Sequence, residues 1–360
     1  MYTPVLTVSD ALILQFYPYC FLNPSGAQPK KEILERCLIR PGFFSDSCGY
    51  QNYRLTESYI NEEGTKQCIE ILGGRITNTK DFFVMCPIDL CKYYGKQNIQ
   101  FAFTFDYPLI ELTEHEYESC LSKSYDSSEV MFKLRKYLCP NTKLLIPLHC
   151  YTKQQLNTYY KRMSPLSPDG YAIPARGRKR WFDFVSIAYI LCFLHDHGVL
   201  HVHLFGSSRP EIIALGAAAV GLNLFERISF DSTTWYTPQH SKIIEYFDPE
   251  TFKKVPFGKL EDPSLILPIQ LKEALQKDKR ELSQPFQKKL VLLHNICLTI
   301  EYAKYLETLG RNFDCLRRYV ENSNHFKSNR DRVLFGIDML QLAKNHGYGS
   351  VENGFDWIWY

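Results

Sequence analysis

Short apolar runs alternate with longer stretches of helical or mixed pattern as far as Trp235. The runs Ala11–Tyr17, Gly42–Asp46, Ile99–Asp106, Lys143–Cys150, Gly170–Pro174, Val199–Gly206 and Arg227–Ser232 have the length and composition of buried strands. An eighth strand is placed near Thr3–Val8. Helical spacing marks Glu129–Tyr137, Gln154–Arg162, Phe182–His195 and Pro210–Val220 between them. The last of these opens with Ser207-Ser208 as a cap and Pro210 in the first turn, where the missing proline N–H has no helical partner to lose. Alternation of this kind predicts a parallel sheet, either a barrel or an open doubly wound one. After Trp235 the pattern changes. Residues 238–285 are rich in Pro, Lys and Glu and read as loops with short helices, and Lys288–Leu309 and Asp331–Asn345 read as long helices. With no internal repeat, the expectation is a single domain, residues 1–237 forming the main part of a barrel and 238–360 a helical part packed on it.

Composition narrows the class. Hydrophobic residues make up 45% of the 360 and charged residues 22%, enough for a sizeable core and against wholesale disorder. A net charge of +3 does not by itself mark a nucleic-acid binder, so local patches would have to supply such a contact. The longest nearly apolar run, Phe184 to Leu194, is too short to cross a bilayer and suits a buried helix. The start Met1-Tyr2-Thr3-Pro4 lacks the basic residues and apolar stretch of a signal peptide. Twelve cysteines are scattered without a Cys-x-x-Cys pair, the pattern of reduced thiols. The expectation is a soluble cytoplasmic protein.

Chemistry in a parallel barrel gathers at the carboxyl ends of the strands. Asp46, Asp106, His149 and Asp231 all fall where expected strands finish. Any one Asp could simply cap the next helix, but four polar residues at successive strand ends point to one mouth. Two carboxylates there suit acid–base or covalent chemistry. Glu226, after Gly221-Leu222-Asn223-Leu224-Phe225, is an alternative to Asp231, which we prefer because Ile228-Ser229-Phe230 makes the better strand. Two His-x-His pairs, His195/His197 and His201/His203, raise the alternative of a metal site; packing or hydrogen bonding is the favoured reading, and no metal is assigned. The densest basic run, Arg176-Gly177-Arg178-Lys179-Arg180-Trp181, directly follows an expected strand, which places Arg176, Arg178, Lys179 and Arg180 as nucleic-acid contacts or as a solvated loop.

Segments in order along the chain resemble the tRNA-guanine transglycosylase superfamily, five by matching residues and a sixth by position. Asp46-Ser47-Cys48-Gly49-Tyr50-Gln51 is similar to its Asp-Ser-Gly-Gly-aromatic-Gln segment, and Phe103-Thr104-Phe105-Asp106 to the strand whose Asp reads the guanine edge. His149-Cys150 stands in the place of a Gln-Gly pair. Asp169-Gly170-Tyr171-Ala172-Ile173 matches a family stretch, with Pro174-Ala175 replacing a Gly-Gly pair. His203-Leu204-Phe205-Gly206 resembles the segment whose Met covers the base, Phe205 taking that place, and Phe230-Asp231-Ser232-Thr233-Thr234-Trp235 resembles the nucleophile segment. The resemblance spans about Gly42 to Trp235 and implies a (β/α)8 barrel with a helical carboxy-terminal part. The family's zinc cluster has no counterpart, since no Cys lies between Cys192 and Cys297, although His294-Asn295 resembles the pair that follows it.

The resemblance implies Asp231 as nucleophile and Asp46 as acid/base. It implies a base pocket from Ser47, Tyr50, Asp106, His149, Gly170, Pro174 and Phe205, with no cofactor. The lost zinc cluster and the Phe-Asp-Ser-Thr-Thr-Trp form resemble the branch that exchanges guanine in DNA for a 7-deazaguanine such as 7-cyano-7-deazaguanine. The tRNA substrate of the wider family is the alternative. From other classes, a metal-dependent hydrolase or a non-catalytic partner subunit remain as alternatives.

Overall fold

In a computed structural model of the chain, the described residues are 2–6, 19–22, 42–45, 87–107, 114–150, 152–174, 184–206, 209–232, 245–250, 252–256, 266–267, 273 and 284–352. Three short strands come first, β1 (Tyr2–Leu6), β2 (Tyr19–Leu22) and β3 (Gly42–Ser45). Helix α1 (Pro87–Gln97) leads into β4 (Phe101–Phe103), α2 (Glu114–Leu138) and β5 (Lys143–Pro147). The alternation continues with α3 (Lys153–Met163), β6 (Gly170–Pro174), α4 (Phe184–Asp196), β7 (His201–Phe205), α5 (Pro210–Gly221) and β8 (Arg227–Ser232). An antiparallel pair, β9 (Glu245–Phe247) and β10 (Lys254–Pro256), precedes α6 (Gln284–Gly310), α7 (Phe313–Asn322) and α8 (Arg330–His346). The pair falls where the sequence pattern suggests only loops and short helices. Residues Ala11–Tyr17, expected as a strand, lie outside the described residues.

Successive strand residues face opposite sides, and β4–β8 use the two sides differently. Phe101, Phe103, Leu145, Ala172 and Phe205 form a cluster inside the curl of the sheet. Ile146, Tyr171, Ile173, Val202, Leu204, Ile228 and Phe230 belong to the main core, together with the residues of α4 and α5. Every residue of α4 from Phe184 to Leu194 is buried. A helix apolar all round needs cover on every side, and α8 packs against both α4 and α5. The main core is therefore continuous from the sheet to Val333, Ile337 and Leu340 of α8. Helices α5 and α6 also meet closely: a Cβ on Gly221 would lie 1.9 Å from the carbonyl oxygen of Gly310. No helix among the described residues is long and apolar enough to cross a membrane.

The expectation of a closed (β/α)8 barrel is corrected. The eight parallel strands follow one another in ring order, and β1 pairs with β8 over five residues and β2 with β3 over four. Two seams are thin, however: β1 and β2 share a single residue pair and β3 and β4 share two. Among the described residues no helix lies between β1, β2 and β3. A barrel wall needs ladders in consistent stagger around the whole circumference, which those seams do not provide. The packed unit is an open, curled half-barrel of five parallel strands, β4 to β8, clothed by helices.

The contact of Gly221 with Gly310 yields a stability prediction. Gly221→Ala should force α5 and α6 apart and destabilise the chain by about 1–3 kcal/mol, the usual cost of overpacking. The denaturation midpoint in urea checks this, and an unchanged midpoint would show that the helix contact yields freely.

Candidate active site at the carboxyl ends of the strands

Open parallel sheets, like barrels, take ligands outside the carboxyl ends of their strands. Among the described residues that end carries Asp106 and His149 just past β4 and β5, Pro174 and Phe205 closing β6 and β7, and Asp231 near the end of β8. Strand β3 ends at Ser45, so the chain enters Asp46 directly from a strand. Asp46 itself, Ser47, Tyr50, Arg176, Arg178, Lys179 and Arg180 lie outside the described residues.

Asp231 shares the inner face with Ser229, two residues back along β8. His203 stands opposite Ser229 in the β7–β8 register. Asp231 Oδ1 lies 3.1 Å from His203 Nε2 and accepts the Gly206 N–H at 2.9 Å. His203 Nδ1 lies 2.8 Å from Ser229 Oγ, and His203 is fully buried. The imidazole is packed between rings as well, with Phe103 and Phe205 both at 4.9 Å between centroids. Phe205 in turn meets Phe103 at 4.4 Å. It therefore stands at the mouth with one side already against the inner cluster.

Asp106 is buried, and its Oδ2 lies 2.5 Å from His149 Nε2. Asp106 and His149, both expected in the base pocket, thus form a carboxylate–imidazole pair. Helix α2 holds the segment that presents Asp106. Ser128 Oγ donates to Thr104 Oγ1 at 2.9 Å, Ser124 Oγ accepts the Tyr107 N–H at 3.0 Å, and the Phe105 N–H reaches Met131 Sδ at 3.1 Å. Burial raises the Tyr159 hydroxyl well above its ordinary pKa, and the Asp106 charge adds to the effect. Tyr159 therefore stays a neutral phenol beside the pair. None of Ser124, Ser128, Met131 or Ser229 was singled out from the sequence. Small hydroxyl residues inside an apolar pattern look like weak points until the groups they satisfy are known.

Glu226 and Asp231 occupy opposite ends of β8. Glu226 precedes the strand, is exposed, and lies 3.9 Å from His201 Nε2. Gly170 also sits at that far end, at the start of β6, where a Cβ would lie 2.2 Å from the His201 carbonyl oxygen. It is placed for close packing of β6 on β7, away from the end that carries Asp106 and Asp231. A cavity of about 440 Å³ opens there, lined among others by Lys143, Tyr160, His201 and Glu226. Lys143 Nζ lies 2.9 Å from His201 Nε2, and burial, followed by the Lys143 charge, lowers the His201 pKa.

The His-x-His residues make contacts with other protein groups. His195 Nδ1 meets the Leu224 carbonyl at 3.0 Å, His197 Nδ1 meets the Phe193 carbonyl at 2.8 Å, and His201 and His203 have the partners given above. Among the described residues no group of three or more His, Cys, Asp or Glu side chains could hold a metal ion. His294 bridges two backbone segments, accepting the Ile266 N–H at Nδ1 and meeting the Phe247 carbonyl through Nε2 at 2.7 Å. Asn295 accepts the Phe247 N–H at 2.8 Å. The pair thus joins α6 to β9 by hydrogen bonds. No family model matches the chain, and a search of curated proteins finds no match either.

Proposed function

We propose that the chain is a base-exchange transglycosylase that replaces guanine in DNA by a 7-deazaguanine, such as 7-cyano-7-deazaguanine, through a covalent glycosyl–enzyme intermediate. One observation carries the reading: a carboxylate, Asp231, held on the inner face at the carboxyl end of β8, at the same end as the Asp106–His149 pair. Glycosyl transfer to a base builds positive charge on the anomeric carbon, and a carboxylate beneath it traps that charge as an ester. The segment resemblance to the transglycosylase superfamily supplies the substrate class. In this reading Asp46 protonates the departing guanine and then removes a proton from the incoming base. Retaining glycosidases follow the same logic with water as acceptor.

A carboxylate offers only acceptors, so Asp106 suits the ring N–H and exocyclic amine of guanine and disfavours adenine's ring acceptor. Tyr50 and Phe205 flank the base. A guanine stacked in a duplex cannot reach this pocket, so it is flipped out or taken from a single strand. Arg176, Arg178, Lys179 and Arg180 hold neighbouring phosphates. A tRNA substrate would use the same residues, and offering both nucleic acids separates the two.

Asp231→Asn should lower exchange of labelled base into an oligonucleotide by at least about a thousandfold, because an amide is a poor nucleophile and cannot neutralise the developing cation. Glu226→Gln should leave exchange near the wild-type rate. The opposite result would make Glu226 the nucleophile and refute the reading of β8.

Replacing Arg176, Arg178 and Arg180 together by Gln should weaken DNA binding and reduce the slope of log affinity against log salt by about 1 per arginine. Binding of the free 7-deazaguanine should change little. A salt slope equal to wild type would leave the run as a solvated loop.

A further inference from the structure

Within the half-barrel lies a buried polar chain, Ser229–His203–Asp231, whose geometry decides more than the identity of the nucleophile. A carboxylate only accepts, so in the neutral ring His203 Nε2 carries the proton and donates to Asp231 Oδ1 at 3.1 Å. Nδ1 is then the acceptor, and the Ser229 hydroxyl at 2.8 Å donates to it, fixing that tautomer. The Gly206 N–H donates to the same Oδ1 at 2.9 Å. Gly206 can do so because β7 turns there with φ of 71°, a left-handed conformation that favours glycine. Two donors thus converge on Oδ1, and among the described residues none reaches Oδ2.

We infer that Oδ1 is the anchored oxygen of Asp231, that Oδ2 is the oxygen that bonds the sugar, and that His203, its tautomer set by Ser229, is the positioning residue that makes this assignment. The inference rests on the transglycosylase reading. In the first step the Oδ2–anomeric carbon bond forms as the bond to the purine nitrogen breaks. The bonding pair leaves with the purine, which takes a proton from Asp46. Oδ1 becomes the ester carbonyl and keeps both hydrogen bonds.

In the second step the incoming 7-deazaguanine nitrogen attacks the anomeric carbon and gives its proton to Asp46. The pair in the Oδ2–carbon bond returns to Asp231. Charge is therefore regenerated on the carboxylate as it leaves, and donors waiting on Oδ1 stabilise that change. His203 should matter most to release of the intermediate. That distinguishes it from a side chain that merely fills space.

The test follows the covalent complex between protein and a guanine-containing oligonucleotide on denaturing gels, first without and then with added 7-cyano-7-deazaguanine. His203→Leu should form the complex but release it roughly tenfold or more slowly, the effect expected on losing a hydrogen bond to a charged group. His203→Gln places an amide N–H at the same bond count from Cβ as Nε2, and it should release within a few fold of wild type. Ser229→Ala, which frees the tautomer without touching Asp231, should show a smaller delay in the same step. Thermal unfolding of each variant gives the folded fraction by which the rates are corrected. Release by His203→Leu at the wild-type rate, or equal slowing in His203→Leu and His203→Gln, would overturn the assignment. If folded wild-type protein forms no complex with DNA or tRNA, the transglycosylase reading fails instead, a result distinct from a complex that forms and is released without regard to His203.

Discussion

A carboxylate and an imidazole inside a protein need partners for their polar atoms, and the carboxyl end of the inner face of the β4–β8 sheet answers to that constraint. Asp231 has two donors on one oxygen, and His203 has a partner at each ring nitrogen. These partners come from neighbouring strands in fixed register, so the arrangement depends on β7 and β8 lying alongside one another. A slip of one residue would turn Asp231 and Ser229 towards the helices and bring Ile228 and Phe230 inward. The apolar demand of the outer face, met by α4 and α5, prevents that slip. Packing on one side of the sheet thereby holds the polar network on the other.

The two ends of the sheet carry different polar sets. At the amino end, Lys143, His201 and Glu226 gather around a cavity, with Gly170 pressed against the His201 backbone. At the carboxyl end, Asp106 pairs with His149, and α2 holds the residues flanking Asp106 through two serines and a methionine. The long α2 therefore does more than cover the sheet: it ties down the residues on either side of Asp106. Chemistry at this end also suits the open half-barrel, since ligands meet parallel sheets outside the carboxyl ends whether or not the sheet closes.

Strands β5 to β8 were legible because their apolar runs are bounded by turn residues and lie at regular distances along the chain. The strand-end positions of Asp106, His149 and Asp231 followed from the same pattern. Helix α2 was read only from Glu129 to Tyr137, although it begins at Glu114. Its buried stripe is Tyr117, Leu121, Ser124, Ser128 and Met131, and the two serines break the apolar period. They are buried because their hydroxyls meet Tyr107 and Thr104, partners that local sequence cannot reveal. Gly170 was read by motif as part of the base pocket, yet its place at the start of β6 puts it at the far end. Closure of the barrel was overread because strand count says nothing of ladder length, and two seams carry only one and two residue pairs.

Mass spectrometry of nucleosides tests the central claim most directly. DNA and tRNA would be digested from cells that express the chain and are supplied with 7-cyano-7-deazaguanine, beside cells carrying an empty vector. The account predicts the 7-deazaguanine deoxynucleoside in DNA only when the chain is expressed, with tRNA unchanged. Modified tRNA and unmodified DNA would move the substrate to RNA. Folded, abundant protein with both nucleic acids unmodified would contradict the account.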